Sequence, residues 1–525
     1  MYGFFPIGWI VLTAVFLYNI TVKTGQFGGV GIPIIVAGQV TGIDPMAVSC
    51  QEGSNLPRRN KPMLNREFIT RLEVITGPEN VTTTPEDLLT YSYDATADMP
   101  SQLPDVVVSP RSTREVREII KLAGKHRIPV YPRGSGTNLS GGTIPVKKGI
   151  VLSLLRMDQI LEIDADNLTA TVQPGVIIQD LNTAVAPYGL IYPPDPGTVA
   201  TATMGGSVSE CSGGLRGLKY GVTKHYVMGL EVVLANGEVV RLGGKTVKNV
   251  TAYDLVKLFT GAEGTLGIIT EITVKLIPAP EFKKSMLAVF KNLVDAGNTV
   301  SAIVKNKVIP ATLEIMDNMT IRTVENFVKI GLPTDSEAIL LIEVDGIKGV
   351  VLKEAETVLR VVRANNGEIK VAETDAERDK LWAGRRAALP ALAQLSPTTV
   401  LEDATVPRSK ITEMLVAIQA IAAKYSLRIG TFGHAGDGNL HPTIVTDERN
   451  HEEMARVHQA VDEIFAVALQ LGGTLSGEHG IGIAKLKYLG QELGETGLNL
   501  LRRVKEALDP DYLLNPGKMV PVKGE

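Results

Sequence analysis

Glycine gathers at four places between residues 132 and 267, and that clustering constrains what this chain can fold into more than any other feature. The first cluster, PRGSGTNLSGG (132–142), follows an apolar stretch that reads as a strand. DPG (195–197) and MGGS (204–207) come next, then SGGLRG (212–217) with KYG (219–221), and finally GAEGTLG (261–267). Glycine and small hydroxyl residues let successive backbone N–H groups converge on an anion. Two common phosphate cradles are excluded. A dinucleotide fingerprint needs a third glycine where Leu139 stands and a helix where Pro145 and a strand follow. A Walker A loop fails because Gly237 lies two positions too far from Gly244-Lys245-Thr246. One such loop alone is most often a tight surface turn. Four of them imply backbone wrapped closely along an extended ligand.

The rest of the composition narrows the class. The chain has 525 residues, 52 of them glycine, where roughly 7% is usual. Its length gives a prior of roughly three domains. A formal charge of −4 without a long basic run argues against nucleic acid as partner. Cys50 and Cys211 are the only cysteines, too few for a disulfide framework or a cysteine-rich metal site.

Residues 1–62 differ from the remainder of the chain. Positions 1–20 are almost wholly apolar, long enough to span a bilayer, and lack the basic start and cleavage site of a secretory signal. Arg58, Arg59 and Lys61 would leave the downstream protein on the cytoplasmic side, membrane-associated through residues 1–20. Residues 1–27 and GIPIIVAGQVTGIDP (31–45) resemble two separated stretches of a lactate permease. Joined head to tail they make no transporter, so the leader reads either as a fusion or deletion remnant, with Met63 the natural start, or as a membrane anchor.

From Glu67 onward the pattern is regular. Ser112 and Glu115 form a capping box ahead of a helix with Val116, Ile119, Ile120 and Ala123 on one face. Strands are expected at 128–131, 150–155, 168–172 and 268–277, with a helix near 176–185. Asn236-Gly237 between two apolar runs (230–234 and 238–242) signals a type I′ hairpin. The Pro278-Ala-Pro280 break marks a domain boundary. Beyond it, a strand at 338–344 is expected, and a helix carrying Met454, Val457, Val461, Ile464, Phe465 and Ala468.

Three of the seven histidines sit in two glycine-flanked motifs, HAGDGNLH (434–441) and SGEHGIG (476–482). Histidine clustered with an acid and free of bulky neighbours suits a metal or proton-transfer site. His451 and His458 fall on the polar side of a helix, and His126 ends one, where a cation is favourable. His225 stays undecided.

From about residue 70 to 520 these motifs resemble, in order and spacing, the vanillyl-alcohol oxidase/PCMH flavoprotein superfamily, and within it the family of glycolate oxidase flavin subunits and D-lactate dehydrogenases. The resemblance implies an α+β fold: an apolar leader (1–62), a two-subdomain PCMH-type FAD-binding domain (63–279), an α+β, ferredoxin-like cap domain for substrate and metal (280–500), and a C-terminal segment (501–525) returning to the flavin. By the same resemblance Arg133, Gly134, Ser135, Gly136, Thr137, Asn138 and Ser140 would hold the FAD pyrophosphate. Gly205, Gly206 and Ser207 would pass under the phosphates and ribitol, while Ser212, Gly213 and Gly214 approach the isoalloxazine. Glu263, Gly264 and Ile268 would meet the adenosine end, with Asn515 of LDPDYLLNPG (508–517) near the flavin. Pro132, Asp195, Tyr220 and Gly221 complete the set. No histidine lies between His126 and His225, so dissociable, non-covalent FAD is expected, and Cys211 reads as a small buried residue.

The motifs HxGDGNxH and GEHG further imply that His434, His441 and Glu478 ligate a divalent metal (Zn, Mn or Fe), that His479 is the general base and that Asn439 helps hold the substrate. Asp437 reads as a turn former or a support for a ligand. Arg385 of LWAGR (381–385) would clamp the substrate carboxylate, with Arg386 competing for that role. The metal would lower the hydroxyl pKa, His479 take the proton and flavin N5 the hydride. Relatives acting on 2-hydroxyglutarate carry Thr and Lys where Leu389 and Leu401 stand, the latter ahead of DATVP (403–407). A second carboxylate beside two leucines is costly to desolvate, so a short 2-hydroxy acid is expected: D-lactate, with glycolate as the alternative. The remote alternative is non-redox group transfer of the alkylglycerone-phosphate synthase type. Electrons would pass to a partner, an iron–sulfur subunit, electron-transfer flavoprotein, cytochrome or quinone, because the chain has no cysteine cluster of its own.

Overall fold

The structure, a computed structural model, describes residues 64–520; the expected leader and its permease-like stretches lie outside them. The first sheet is built from β1 (Val81–Thr82), β2 (Val106–Val108), β3 (Val130–Arg133) and β4 (Ile150–Ser153), in the order β1-β2-β4-β3. β2, β4 and β3 run parallel, and β1 is antiparallel to β2. Parallel strands are covered on both faces and therefore read as unbroken apolar runs. Val106, Val108, Val130, Ile150 and Leu152 pack beneath helices Arg66–Thr76 and Thr113–His126. The second helix starts as the sequence predicts, with the Ser112 hydroxyl accepting from the Glu115 amide at 3.3 Å. The Glu115 carboxylate, however, accepts from Arg111 N–H, one residue earlier than a full capping box requires.

Next along the chain come β5 (Ile160–Asp164), β6 (Thr169–Val172), β7 (Leu190–Ile191), β8 (Val227–Val233), β9 (Val239–Gly243), β10 (Ile268–Lys275) and β11 (Ile277–Pro278). Five of them form an antiparallel sheet ordered β5-β6-β10-β8-β9, and β7 pairs with β11. Helices Ile178–Val185 and Met204–Glu210 bury Leu181, Val185, Met204 and Val208 against it. The β8–β9 hairpin forms where expected but not with a type I′ turn. Gly237 N–H donates to the Leu234 carbonyl, Gly237 takes φ 80°, and Asn236 is not left-handed. That is a tight turn followed by a glycine bulge, the other common hairpin closure. It is favoured here because Asn236 Oδ1 accepts the Glu238 N–H at 2.9 Å.

The third sheet comprises β12 (Phe282–Phe290), β13 (Thr312–Asp317), β14 (Ala338–Gly346), β15 (Glu368–Val371), β16 (Thr398–Leu401), β17 (Ala404–Thr405), β18 (Arg428–His434) and β19 (Asn439–Thr446). It is antiparallel throughout, in the order β15-β12-β14-β13-β18-β19-β16, with β17 alongside β19. Strand alternation splits its side chains between two cores. Leu313, Ile315, Leu340 and Ile342 face helices Leu293–Lys305, Lys348–Ala364, Ile411–Tyr425 and His451–Gln470. Met316, Ile339, Leu341 and Phe432 face helices Asn318–Val328, Asp375–Arg386 and Ala388–Leu392.

After helix Leu489–Leu508 the tail returns to the first sheet, where Leu514 pairs in parallel with Val130. Leu513 and Leu514 enter the same core as β2 and β4. No helix among the described residues is long and apolar enough to cross a membrane.

Candidate active site

The second face of the third sheet carries the site. Because side chains alternate, Glu314 shares that face with Met316, His434 with Phe432, and His441 with Val445. These residues lie on the adjacent strands β13, β18 and β19. His434 Nδ1 is 2.7 Å from Glu314 Oε1, and its Nε2 is 3.0 Å from Glu478 Oε1. His441 Nε2 lies 3.2 Å from the same Glu478 oxygen. His434, His441 and Glu478, separated by up to 44 residues, thus converge within one coordination radius. Gly438, at φ 95°, makes the β18–β19 turn possible, since a Cβ there would sit 2.0 Å from the Val406 carbonyl oxygen. In that turn Asp437 accepts the Asn439 N–H at 3.3 Å, the turn-forming role expected of it.

His479 stacks on His441, with ring centroids 5.1 Å apart and planes 13° from parallel. Its loop hangs on Asp403, a fully buried acid whose Oδ2 accepts from Ser476 Oγ and from the N–H groups of Gly477, Glu478 and His479 at 2.7–3.0 Å. Lys485 Nζ stands 3.4 Å from the same oxygen.

Helix Asp375–Arg386 starts at a full capping box, Thr374 with Glu377, and turns Trp382 and Arg385 inward at i, i+3. Arg385 is buried and gives Nε and Nη2 to Glu314 Oε2 at 2.7 and 2.6 Å. Glu314 thereby holds both a histidine and the arginine expected to be the clamp, and among the described residues no acceptor engages Arg385 Nη1. Arg386 points outward, half exposed and 4.0 Å from Asp195.

The electrostatics follow from this packing. Burial opposes a charge on His434, but the Glu314 and Glu478 carboxylates outweigh it and hold the imidazole well above its usual range. Glu478 is held low against its own burial by His434 and His441. Burial pushes His479 down to about 4, with His441 adding to the effect and Asp403 opposing it, so the ring is neutral near pH 7. Burial raises Asp437 to about 7.

The donor set fits a metal. Glu314 can only accept, so His434 Nδ1 carries a proton, and with the imidazole held protonated Nε2 carries another, given to Glu478 at 3.0 Å. A divalent cation could take the place of that second proton, and two imidazoles with one carboxylate suit a transition metal. Asn439 Oδ1, His441 Nδ1 and His479 Nδ1 are buried without a protein partner, as expected of groups awaiting a ligand.

The glycine segments meet on the other side. Among the described residues, no protein acceptor takes the amides of Gly134, Ser135, Gly136 or Thr137, and Gly136 has φ 71°. A run of open amides such as this, after a parallel strand, can receive an anionic group. Ser140 Oγ is likewise buried and unpartnered. Several residues expected at the cofactor also have partners within the protein. Arg133 donates to the Tyr93 carbonyl and Thr143 Oγ1, and Asn138 Oδ1 accepts the Gly142 N–H. The amides of Gly205 and Gly206 are taken by the Pro174 carbonyl and Thr203 Oγ1. Ser207, Ser212 and Thr223 share a hydroxyl cluster. Gly213 lies against Glu478 (a Cβ would come within 2.7 Å of Oε2), which joins the third glycine segment to the histidine cluster. Gly214, at φ 124°, faces the Asp195 carbonyl, and Gly264 packs on Pro132.

Tyr220 gives its hydroxyl to Asp345 of β14, and Gly221 faces His225, whose Nδ1 accepts the Val222 N–H. Ile268 packs in the first core with Val233 and Leu514. Asn515 donates to the Gly142 and Glu263 carbonyls, bringing the tail to the first glycine segment. The Glu263 carboxylate holds the amides of Ile481 and Gly482. Sequence motifs alone miss Glu314. Its signal is an acid set between Leu313 and Ile315 in the strand TLEIMD (312–317).

Residues 104–243 match the FAD binding domain, and residues 279–519 the C-terminal domain of FAD linked oxidases. The chain is 53% identical over 458 residues to glycolate oxidase subunit GlcD of Bacillus subtilis, covering 87% of this chain and 97% of that one. It belongs to the FAD-linked family of GlcD glycolate oxidase subunits and D-lactate dehydrogenases. A second family member, D-lactate dehydrogenase of Archaeoglobus fulgidus, is 38% identical, with 79% of this chain and 91% of the relative covered. The family's fold extends to p-cresol methylhydroxylase, whose solved structure matches at a TM-score of 0.72 with 18% identity, covering 87% of this chain and 97% of that one. The chain is thus an FAD-linked oxidoreductase, and 2-hydroxy acids are the substrate class of its family.

Proposed function

We propose that the chain dehydrogenates a short D-2-hydroxy acid, D-lactate, to the 2-oxo acid. The observation that carries this reading is the convergence of His434, His441 and Glu478 beside the neutral, stacked imidazole of His479. Bound FAD supplies a hydride acceptor, which no side chain can. His434, His441 and Glu478 would hold a divalent metal, which would supply a Lewis acid for the substrate hydroxyl. His479 takes the hydroxyl proton; burial keeps it unprotonated at neutral pH. Arg385, steadied by Glu314, keeps Nη1 for the substrate carboxylate. Asn439 offers its unpartnered Oδ1 to the bound substrate. Ser140 and the open amides at 134–137 receive the FAD pyrophosphate.

Leu389 and Leu401 lie partly buried in the apolar cluster of Phe432, which supports a monocarboxylate over a dicarboxylate. Glycolate is the second reading, favoured by the 53% identity to a glycolate oxidase subunit. Lactate and glycolate differ by one methyl, worth roughly 1–3 kcal/mol of discrimination. With two cysteines in the whole chain, any iron–sulfur relay belongs to a partner.

Anaerobic titration of the flavin with D-lactate, glycolate, L-lactate and D-2-hydroxyglutarate, with and without a chelator, tests the reading. Bleaching by D-lactate that the chelator suppresses is expected. Faster bleaching by glycolate would transfer the assignment to the second reading. A bound flavin that none of the four reduces would overturn dehydrogenation and favour group transfer.

A further inference from the structure

The segment carrying His479 is held from two sides by groups belonging to different lobes. From the third sheet, Asp403 takes the amides of Gly477, Glu478 and His479. From the flavin-binding side, Glu263 Oε1 accepts the Ile481 N–H at 2.6 Å and Oε2 accepts the Gly482 N–H at 2.8 Å. The carbonyl of Ser140, the last residue of the pyrophosphate segment, accepts the N–H groups of Ile483 and Ala484 at 2.8 and 3.1 Å.

Glu263 is itself fixed at both ends of its backbone. Its N–H donates to the Ser209 carbonyl at 2.8 Å, and its carbonyl receives Asn515 Nδ2 at 2.7 Å. It is buried, and it adopts φ 50°, a left-handed conformation uncommon for a long side chain. Conformations of this kind persist where surrounding structure enforces them, and they concentrate at functional loops. The fit at its tip is tight as well. Gly480, next to His479, has φ 80°, and a Cβ there would stand 2.9 Å from Glu263 Oε1 and 2.1 Å from Glu210 Oε2. Two amides of consecutive residues need two acceptors, and the two oxygens of a carboxyl group offer one to each. A glutamine would turn an NH₂ toward one of them.

We infer that Glu263 is the positioning residue through which the flavin-binding lobe sets the place of the His479 imidazole. This rests on His479 being the base. A base displaced by about 1 Å loses up to roughly 100-fold in rate, so the contact belongs to catalysis as well as to folding.

Full-length holoenzyme carrying Glu263→Gln, and in parallel Glu263→Asp, tests this. Glu263→Asp keeps the charge but shortens the arm. FAD and metal per chain should stay at wild-type levels, and KM should stay within a few-fold. The rate per bound flavin should fall roughly 10- to 100-fold, with a larger solvent deuterium isotope effect as transfer of the hydroxyl proton to His479 becomes limiting. Wild-type turnover per flavin in either FAD-loaded variant overturns the inference. So does FAD loss that fully accounts for lost activity with an unchanged isotope effect, because Glu263 would then be a cofactor contact or a plain structural support. His479→Asn separates the two readings: if it turns over like wild type, the base assignment fails. If it is inactive while Glu263→Gln is normal, only the role of Glu263 fails.

Discussion

Glu314 pairs with His434 through one oxygen and with Arg385 through the other, and along its strand it is flanked by Leu313 and Ile315. Burial opposes its charge, but His434 and Arg385 together hold its pKa below the usual carboxylate range, so it stays ionised. Glu314→Gln should release the His434 tautomer and lower metal affinity by roughly 10–100-fold, a typical cost of losing a histidine's outer partner. Competition with a fluorescent chelator reads this directly; unchanged affinity would mean that Glu478 orients His434 alone. Lys518, beside Asn515, offers a pH test. Burial lowers its pKa from 10.5 to about 7, and its Nζ donates to the Ile144 carbonyl at 2.6 Å. Between pH 7 and 10 the unfolded chain holds a proton that the folded one has released, so this lysine makes stability rise with pH, by at most about 1.4 kcal/mol per unit. Urea unfolding of wild type and Lys518→Met at pH 7.5, 8.5 and 9.5 should show the wild type gaining on the variant at each step. Parallel curves would show that Lys518 stays charged in the fold.

The glycine segments divide into those that free amides and those that admit a neighbour. Gly264 combines φ 67° with a Cβ position 2.4 Å from Pro132 Cγ, so that the last segment rests on the first. Gly189 has the same sign of φ, at 68°, with nothing within 4 Å. Gly189→Ala should cost only left-handed strain, about 1 kcal/mol. Gly264→Ala should add the clash, lower Tm further and weaken FAD retention, which thermal melting and flavin content after dialysis would reveal. Equal effects would mean that Pro132 moves aside freely. The β8–β9 hairpin was legible from Asn236-Gly237, but its turn type was not: the Asn236 side chain accepts the Glu238 amide, and only Gly237 has to be left-handed.

At the scale of the molecule, the returning tail closes the flavin-binding lobe. Asp509 accepts from Lys505 Nζ and from the amides of Leu513 and Leu514, which tucks both leucines into the first core. Asn515 then ties the first glycine segment to the last. Removing residues 509–525 exposes the core that two leucines cover, about 3 kcal/mol or more. The truncated chain should melt lower and lose FAD on gel filtration. A truncation that keeps its flavin would show that the tail only decorates the lobe. The lobes are joined elsewhere by Asp345 of β14, which receives Lys219 and Tyr220.

Local pattern sufficed for whatever depends on near neighbours. His434 and His441 lie seven residues apart on one hairpin, and Glu478 and His479 are adjacent, but that the two motifs share one chemistry was implied by their resemblance to the family's signatures. The helix at 113–126 and the helix through Val457 and Ile464 followed from their 3.6-residue period. Tertiary structure alone decided the partners. Glu314 meets His434 across 120 residues, Asp403 meets His479 across 76, and Glu263 meets Ile481 across 218. Whether Arg385 or Arg386 turns inward was settled by the face of the helix that packs on the sheet. A buried charge finds its counter-charge only once the chain has closed those long loops, and nothing in the local sequence records which one it will be.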